Sequence, residues 1–151
     1  MFSASYDRRR YILLARFSGS VGPDAYDEFD RILTIMGEAV GVTAAILDLG
    51  AIDAFEMPGG FSAPSSRRPP VLPGCKRIFV VQDALIGRRV QRHIDLLALD
   101  GFHSMLLAPS VDSAVALLDV GSVSFCPLDI EWLRKELRED AEFRSEIARL
   151  H

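Results

Sequence analysis

The spacing of apolar positions changes several times along the chain, and each change marks an element. Tyr11, Leu13, Ala15 and Phe17 alternate with Ile12, Leu14, Arg16 and Ser18, the period of a strand. With FSASYD upstream, this predicts an antiparallel hairpin turning near Asp7 to Arg9, its Arg8-Arg9-Arg10 run a solvated tip. GPDAYDEFDRILTIMGEAVG then switches to helical spacing. Tyr26, Phe29, Leu33, Met36 and Val40 fall on one stripe. Pro23 suits the first turn, Asp24, Asp27 and Glu28 favour the positive end of the helix dipole, and Gly41 supplies the stop.

TAAILDL is an unbroken apolar run, as expected for a strand covered on both faces. The pattern lapses from Gly50 to Gly74, where MPGGFSAPSSRRPPVLPG carries five prolines. Interior prolines break helices at about 3 kcal/mol each, so a long loop is expected. KRIFVVQD restores a buried strand, and Asp83 stands where a helix cap would stand. In the helix that follows, Ile86, Val90, Ile94 and Leu97 form the buried stripe, Arg88, Arg89, Arg92 and Asp95 lie off it, and Gly101 closes it. FHSMLLAPS reads as a strand, and Ser110 caps a helix over VDSAVALLDV.

After the connector SVSFCP, a last helix carries two offset stripes: Ile130, Leu133 and Leu137, then Phe143, Ile147 and Leu150. Glu131 and Lys135 are spaced as an ion pair, and a bend near Asp140 would fit the offset. This helix either packs on its own domain or docks a partner or a second copy. Alternating strands and helices predict an α/β fold: a single-domain mixed sheet with an N-terminal hairpin over residues 1–120, and a C-terminal helical extension over 121–151.

Composition narrows the function classes. A net charge of -4 argues against a nucleic-acid binder, and no apolar run approaches the roughly 18 residues of a membrane span. No basic-then-apolar leader opens the chain, and Cys75 and Cys126 have no metal-ligand spacing. A cytoplasmic protein with reduced cysteines is expected.

Candidate chemistry is thin. Asp48 and Asp53 could act as paired carboxylates, but each also suits a backbone role at a strand end and in a loop. DAFEMPGG resembles the loop of a phosphoacceptor receiver, yet the first strands lack its acidic pair. There is no Gly-x-Ser-x-Gly and no phosphate-binding lysine loop, and His93, His103 and His151 are scattered. No enzyme activity, metal or cofactor is expected. The basic groups are Arg67-Arg68 in the long loop, Lys76-Arg77 before a strand, and Arg88, Arg89 and Arg92. In α/β sheets such loops and the following helix starts gather at one edge. Exposed amides over Ala84 to Gly87 would favour an anion there. The candidate ligand- or partner-binding residues are therefore Asp53, Phe55, Arg67, Arg68, Ala84 and Arg88, with Phe55, Met57 and Phe61 as apolar contacts.

Several patterns in order give a family resemblance over Tyr6 to Val120. RFSGSVGPDAYDEF, AAILDLGAIDAF, RIFVVQDALIGRRVQRHIDLLA and LLAPSVDSAVALL resemble the successive elements of STAS-like domains, in particular the SpoIIAA-like branch, which groups with a lipid-binding fold. The resemblance implies a regulatory binding module acting through protein contacts. In anti-sigma-factor antagonists of this fold, an Asp-Ser step carries the phosphorylated serine. Asp53 matches the aspartate, but Ala54 stands at the serine, so that switch cannot run here. Ser62, Ser65 and Ser66 do not align with it. The alternative function is a carrier or sensor of an acidic small molecule or lipid-like ligand. A homodimer is compatible with either.

Overall fold

The early alternation forms the hairpin it predicts. Strand β1 (Phe2–Asp7) pairs antiparallel with β2 (Ile12–Val21), Asp7 opposite Ile12. The structure is a computed structural model that describes residues 1–57, 74–99, 101–102 and 104–150. The turn is fixed by buried Asp7, whose carboxylate accepts the amides of Arg9 and Arg10 at 2.8 and 2.9 Å and of distant Ser124 at 2.7 Å. The Ser124 amide, and then that of Arg10, hold the Asp7 carboxyl below the usual carboxylate range.

Helix α1 (Pro23–Ala39) starts on Pro23, and Gly41 beyond its end takes a left-handed φ of 93°. Its buried stripe is Tyr26, Phe29, Ile32, Leu33 and Met36. Val40, expected on that stripe, caps the helix instead and is half exposed.

Strand β3 (Ala44–Phe55) corrects the sequence reading, which ended the strand at Leu49 and placed a loop from Gly50. The strand continues because β2 is long enough to partner it. After register shifts between Arg16 and Ser18 and between Gly19 and Ser20, Ala51, Ile52, Ala54 and Phe55 pair with Ser18, Gly19, Ser20 and Val21. Asp48 is consequently mid-strand. It accepts the Gly50 amide at 3.0 Å and lies 3.6 Å from Arg16. Asp53 is exposed on the same strand, not in a loop.

The remaining elements are β4 (Lys76–Val80), α2 (Ala84–Leu99), β5 (Met105–Ala108), α3 (Val111–Leu118), β6 (Cys126–Pro127) and α4 (Ile130–Leu150). The sheet order is β5-β4-β3-β2-β1-β6. Strands β2 to β5 run parallel, and β1 and β6 are antiparallel to their neighbours, so the sheet is mixed as expected. Both expected caps form: Asp83 Oδ1 accepts from the amides of Leu85 and Ile86, and Ser110 Oγ from that of Ser113. Cys75 and Cys126 are free thiols.

Apolar residues cover the two faces of the sheet separately. Helices α1, α2 and α4 pack on one, contributing Phe29, Val90, Ile94 and Leu133 to an aromatic-rich core with Phe2, Phe17 and Phe79. On the other, Ile12, Leu14, Ile46, Ile78 and Val80 meet Ala114 of α3 and the segment carrying Val120, Val123 and Phe125. The first turns of α4 pack in cis. Leu133 is buried, and Arg134 pairs with Glu28 of α1 at 2.8 Å. Glu131 pairs with Arg134 rather than with the expected Lys135, which lies 3.9 Å from Glu139. The side chains of Leu137, Phe143, Ile147 and Leu150 lie outside those described.

Candidate functional site

Strand alternation places Arg77 on the same face of β4 as Phe79, beneath α1 and α2. The sequence reading groups Arg77 with Lys76 as basic residues before a strand. Arg77 is fully buried. A buried guanidinium needs acceptors, and α1 supplies them one turn apart. Arg77 donates to the Tyr26 hydroxyl at 2.7 Å and to Asp30 Oδ1 at 2.6 Å. Its charged centre also lies 5.4 and 5.3 Å from the Tyr26 and Phe29 ring centres. Burial opposes the charge on Arg77, but Tyr26 and Asp30 outweigh it and raise its pKa above the ordinary arginine value.

The chain of contacts extends to α2. His93 Nε2 lies 3.3 Å from the Tyr26 hydroxyl. Its ring sits edge-on among Tyr26, Phe55 and Phe79, at 5.2, 5.6 and 6.2 Å between ring centres. Burial, with Arg77 nearby, lowers the His93 pKa to about 4, so the imidazole is neutral at neutral pH. Burial likewise pushes Tyr26 up to about 12, and lifts the Asp30 carboxyl to about 6 against the pull of Arg77. The result is a line of four polar side chains from Asp30 at the edge of α1 through Arg77 and Tyr26 to His93.

Both ends of this line are partly exposed, and His93 is the end that opens into a groove. It forms part of the wall of an open groove of about 610 Å³, lined by Pro23 at the start of α1, Phe55, Glu56 and Met57 at the end of β3, and Arg89, Arg92, His93 and Leu96 of α2. The apolar walls are Pro23, Phe55, Met57 and Leu96. Among the described residues, neither Arg89 nor Arg92 makes an ion pair. The groove lies at the carboxyl end of β3, the edge at which open α/β sheets commonly bind ligands.

The expected site residues distribute unevenly around this groove. Phe55 lines it, but as a buried wall rather than an exposed contact in a loop. Met57 lines it half-buried. Asp53 is exposed on β3, and Ala84 and Arg88 are exposed on α2, none of them in the lining. At the start of α2, where an anion was expected, the Asp83 carboxylate accepts the amides of Leu85 and Ile86, and the Asp83 carbonyl accepts that of Gly87. Arg67, Arg68 and Phe61, like His103 and His151, lie outside the described residues.

Tyr26, Asp30, Arg77 and His93 were missed as a set, although two sequence signals point to them. An arginine at an inward position of a doubly covered strand requires buried acceptors. His93 stands three residues after Val90, at the margin of the apolar stripe.

Among the described residues, no group of three His, Cys, Asp or Glu side chains could hold a metal ion. No described helix is long and apolar enough to cross a membrane. No protein-family model matches the sequence, and no curated protein matches it significantly.

Proposed function

We propose that this chain is a non-enzymatic binding module of STAS-like kind, acting in the cytoplasm, and that its groove receives a small molecule with an acidic head and an apolar body. One observation carries the reading. The groove sets Arg89 and Arg92, which have no ion-pair partner among the described residues, beside Pro23, Phe55, Met57 and Leu96. Cations on an apolar rim complement an anion attached to a hydrocarbon or aromatic body, whether a free acid or a lipid. A pKa near 4 gives His93 little use as a general base at neutral pH, and Tyr26 near 12 is a poor nucleophile, which favours binding over chemistry.

Thermal denaturation with sodium octanesulfonate, octanol and sodium sulfate tests this. Octanesulfonate raises the melting temperature with concentration, and octanol and sulfate do not. The double variant R89E/R92E loses the effect. Equal stabilisation by octanol, or no stabilisation by octanesulfonate, overturns the reading.

A second reading, regulation through protein contacts or self-association, rests on Trp132. This side chain is 57% exposed on α4, beside the buried Leu133 that anchors the helix. Exposed tryptophans are favoured anchors of interfaces. Sedimentation of the full chain against W132A decides it: an assembly that W132A dissolves supports the reading, and a monomer at every concentration removes self-association.

A further inference from the structure

The polar line behind the groove fixes the hydrogen positions of the residue that faces it. Arginine has donors only, so the 2.7 Å contact from Arg77 makes the Tyr26 oxygen an acceptor. The hydroxyl keeps one hydrogen to donate. Among the described residues, the acceptor within its reach is His93 Nε2, at 3.3 Å. An imidazole that accepts at Nε2 and is neutral carries its proton at Nδ1. Among the described residues Nδ1 has no hydrogen-bond partner, and the side chain lines the groove.

We propose that His93 is locked as the neutral Nδ1–H tautomer and serves the groove as an uncharged donor to the acidic head of its ligand, beside Arg89 and Arg92. The inference rests on the groove being the ligand site. Its consequence is unusual for a histidine in an anion site. Binding does not strengthen on acidification through the ordinary histidine pKa, because the donor is already present in the neutral form.

The charged and titratable surroundings are consistent with this from every side. The Tyr26 hydroxyl of α1 lies 3.3 Å from Nε2, and Asp30 lies beyond it on the other side of Arg77. Arg77 of β4 opposes a second proton. Arg89 and Arg92 of α2 add positive charge, and Glu56, just after β3, is the one carboxylate among the described lining residues. Glu56 is exposed, and the influences that disfavour a second proton on His93 are burial and Arg77.

Nitrogen-15 NMR of the imidazole in the full chain reads the tautomer directly. The expected spectrum has a protonated Nδ1 and a bare Nε2, unchanged between about pH 5 and 8. A protonated Nε2, or titration inside that range, overturns the proposal. Y26F should release the lock and mix the two tautomers; should that variant not fold, the wild-type spectrum still decides. Calorimetric titration with octanesulfonate, whose charge is constant over this range, supplies the second readout. Affinity should stay level from pH 8 to 5.5, fall about tenfold in H93L and be retained in H93N, whose amide nitrogen takes the δ position. Binding that tightens about tenfold as pH falls through 6.5, or that is indifferent to H93L, overturns the donor role while leaving the groove intact. No binding at any pH removes the groove reading and the donor role together.

Discussion

The two faces of the sheet are built from different material. Beneath α3, the eight buried residues among those described are all aliphatic: Ile12, Leu14, Ala44, Ile46, Ile78, Val80, Ala108 and Ala114. Beneath α1 and α2, Arg77 is buried outright, tied to Tyr26 and Asp30, and the network surfaces as His93 in a groove. An aliphatic layer needs only volume and pattern to form. A layer containing a buried cation must also satisfy each polar atom, which restricts which side chains are acceptable and fixes their geometry. The first kind of layer holds by volume alone, and the second carries the polar groups on which the proposed binding rests.

The comparison yields a graded set of expectations. The largest effect comes from Arg77→Ala, which leaves Asp30 and Tyr26 without their partner. It should cost about 3–5 kcal/mol in urea unfolding. The double variant R77M/D30L, removing both charges, should recover most of that loss, because the expense lies in the unpaired group rather than in the absence of a bridge. Equal losses in the single and double variants would mean that the face is held by packing alone.

The next effect separates the faces by pH. His93 has its pKa lowered from 6.5 to about 4, so its contribution to folding is complete above 6.5 and lost as pH falls toward 4. Asp30 is raised from 3.8 to about 6, so its contribution is complete below 3.8 and lost as pH rises through 6. Each is worth about 3 kcal/mol, and they oppose each other across the same interval. The wild type should therefore hold nearly level stability between pH 4 and 6. H93L removes one side of the balance and should grow more stable on acidification over that interval. A level profile in H93L would break the coupling drawn between these groups.

The smallest effect belongs to the aliphatic face. Ile46→Val should cost about 1 kcal/mol, and by the same amount at every pH between 4 and 8. A pH-dependent loss there would mean that the two faces are not independent.

How far each face could be read in advance follows from the same difference. Ile12 and Leu14 alternating with Leu13 and Phe17 carry the strand period openly, and helix α1 declares itself through Pro23, its stripe and Gly41. The long β3 was not legible past Leu49. Gly50, Ala51, Asp53 and Ala54 have little strand preference of their own, and the ladder to Ser18–Val21 that holds them is a tertiary fact. The groove was half legible. Phe55 and Met57 were marked, but the cations lining it are Arg89 and Arg92, a step along α2 from Arg88. The polar line was hidden because its members lie in three elements: Tyr26 and Asp30 in α1, Arg77 in β4, His93 in α2. Each alone reads as ordinary, and only their juxtaposition gives them meaning.

The pairing of β6 with β1 has a consequence for how the molecule is made. The ladder joins Ser5 to Pro127 and Tyr6 to Cys126, so β1 leaves the ribosome long before the segment that pairs with its outer edge. Until then the outer rail of β1 carries open amides and carbonyls, an invitation to neighbouring nascent chains. Two residue pairs and the reach of Asp7 to Ser124 close that window. Translation pauses before residue 124 should therefore leave the chain at its most sticky, whatever the finished protein binds.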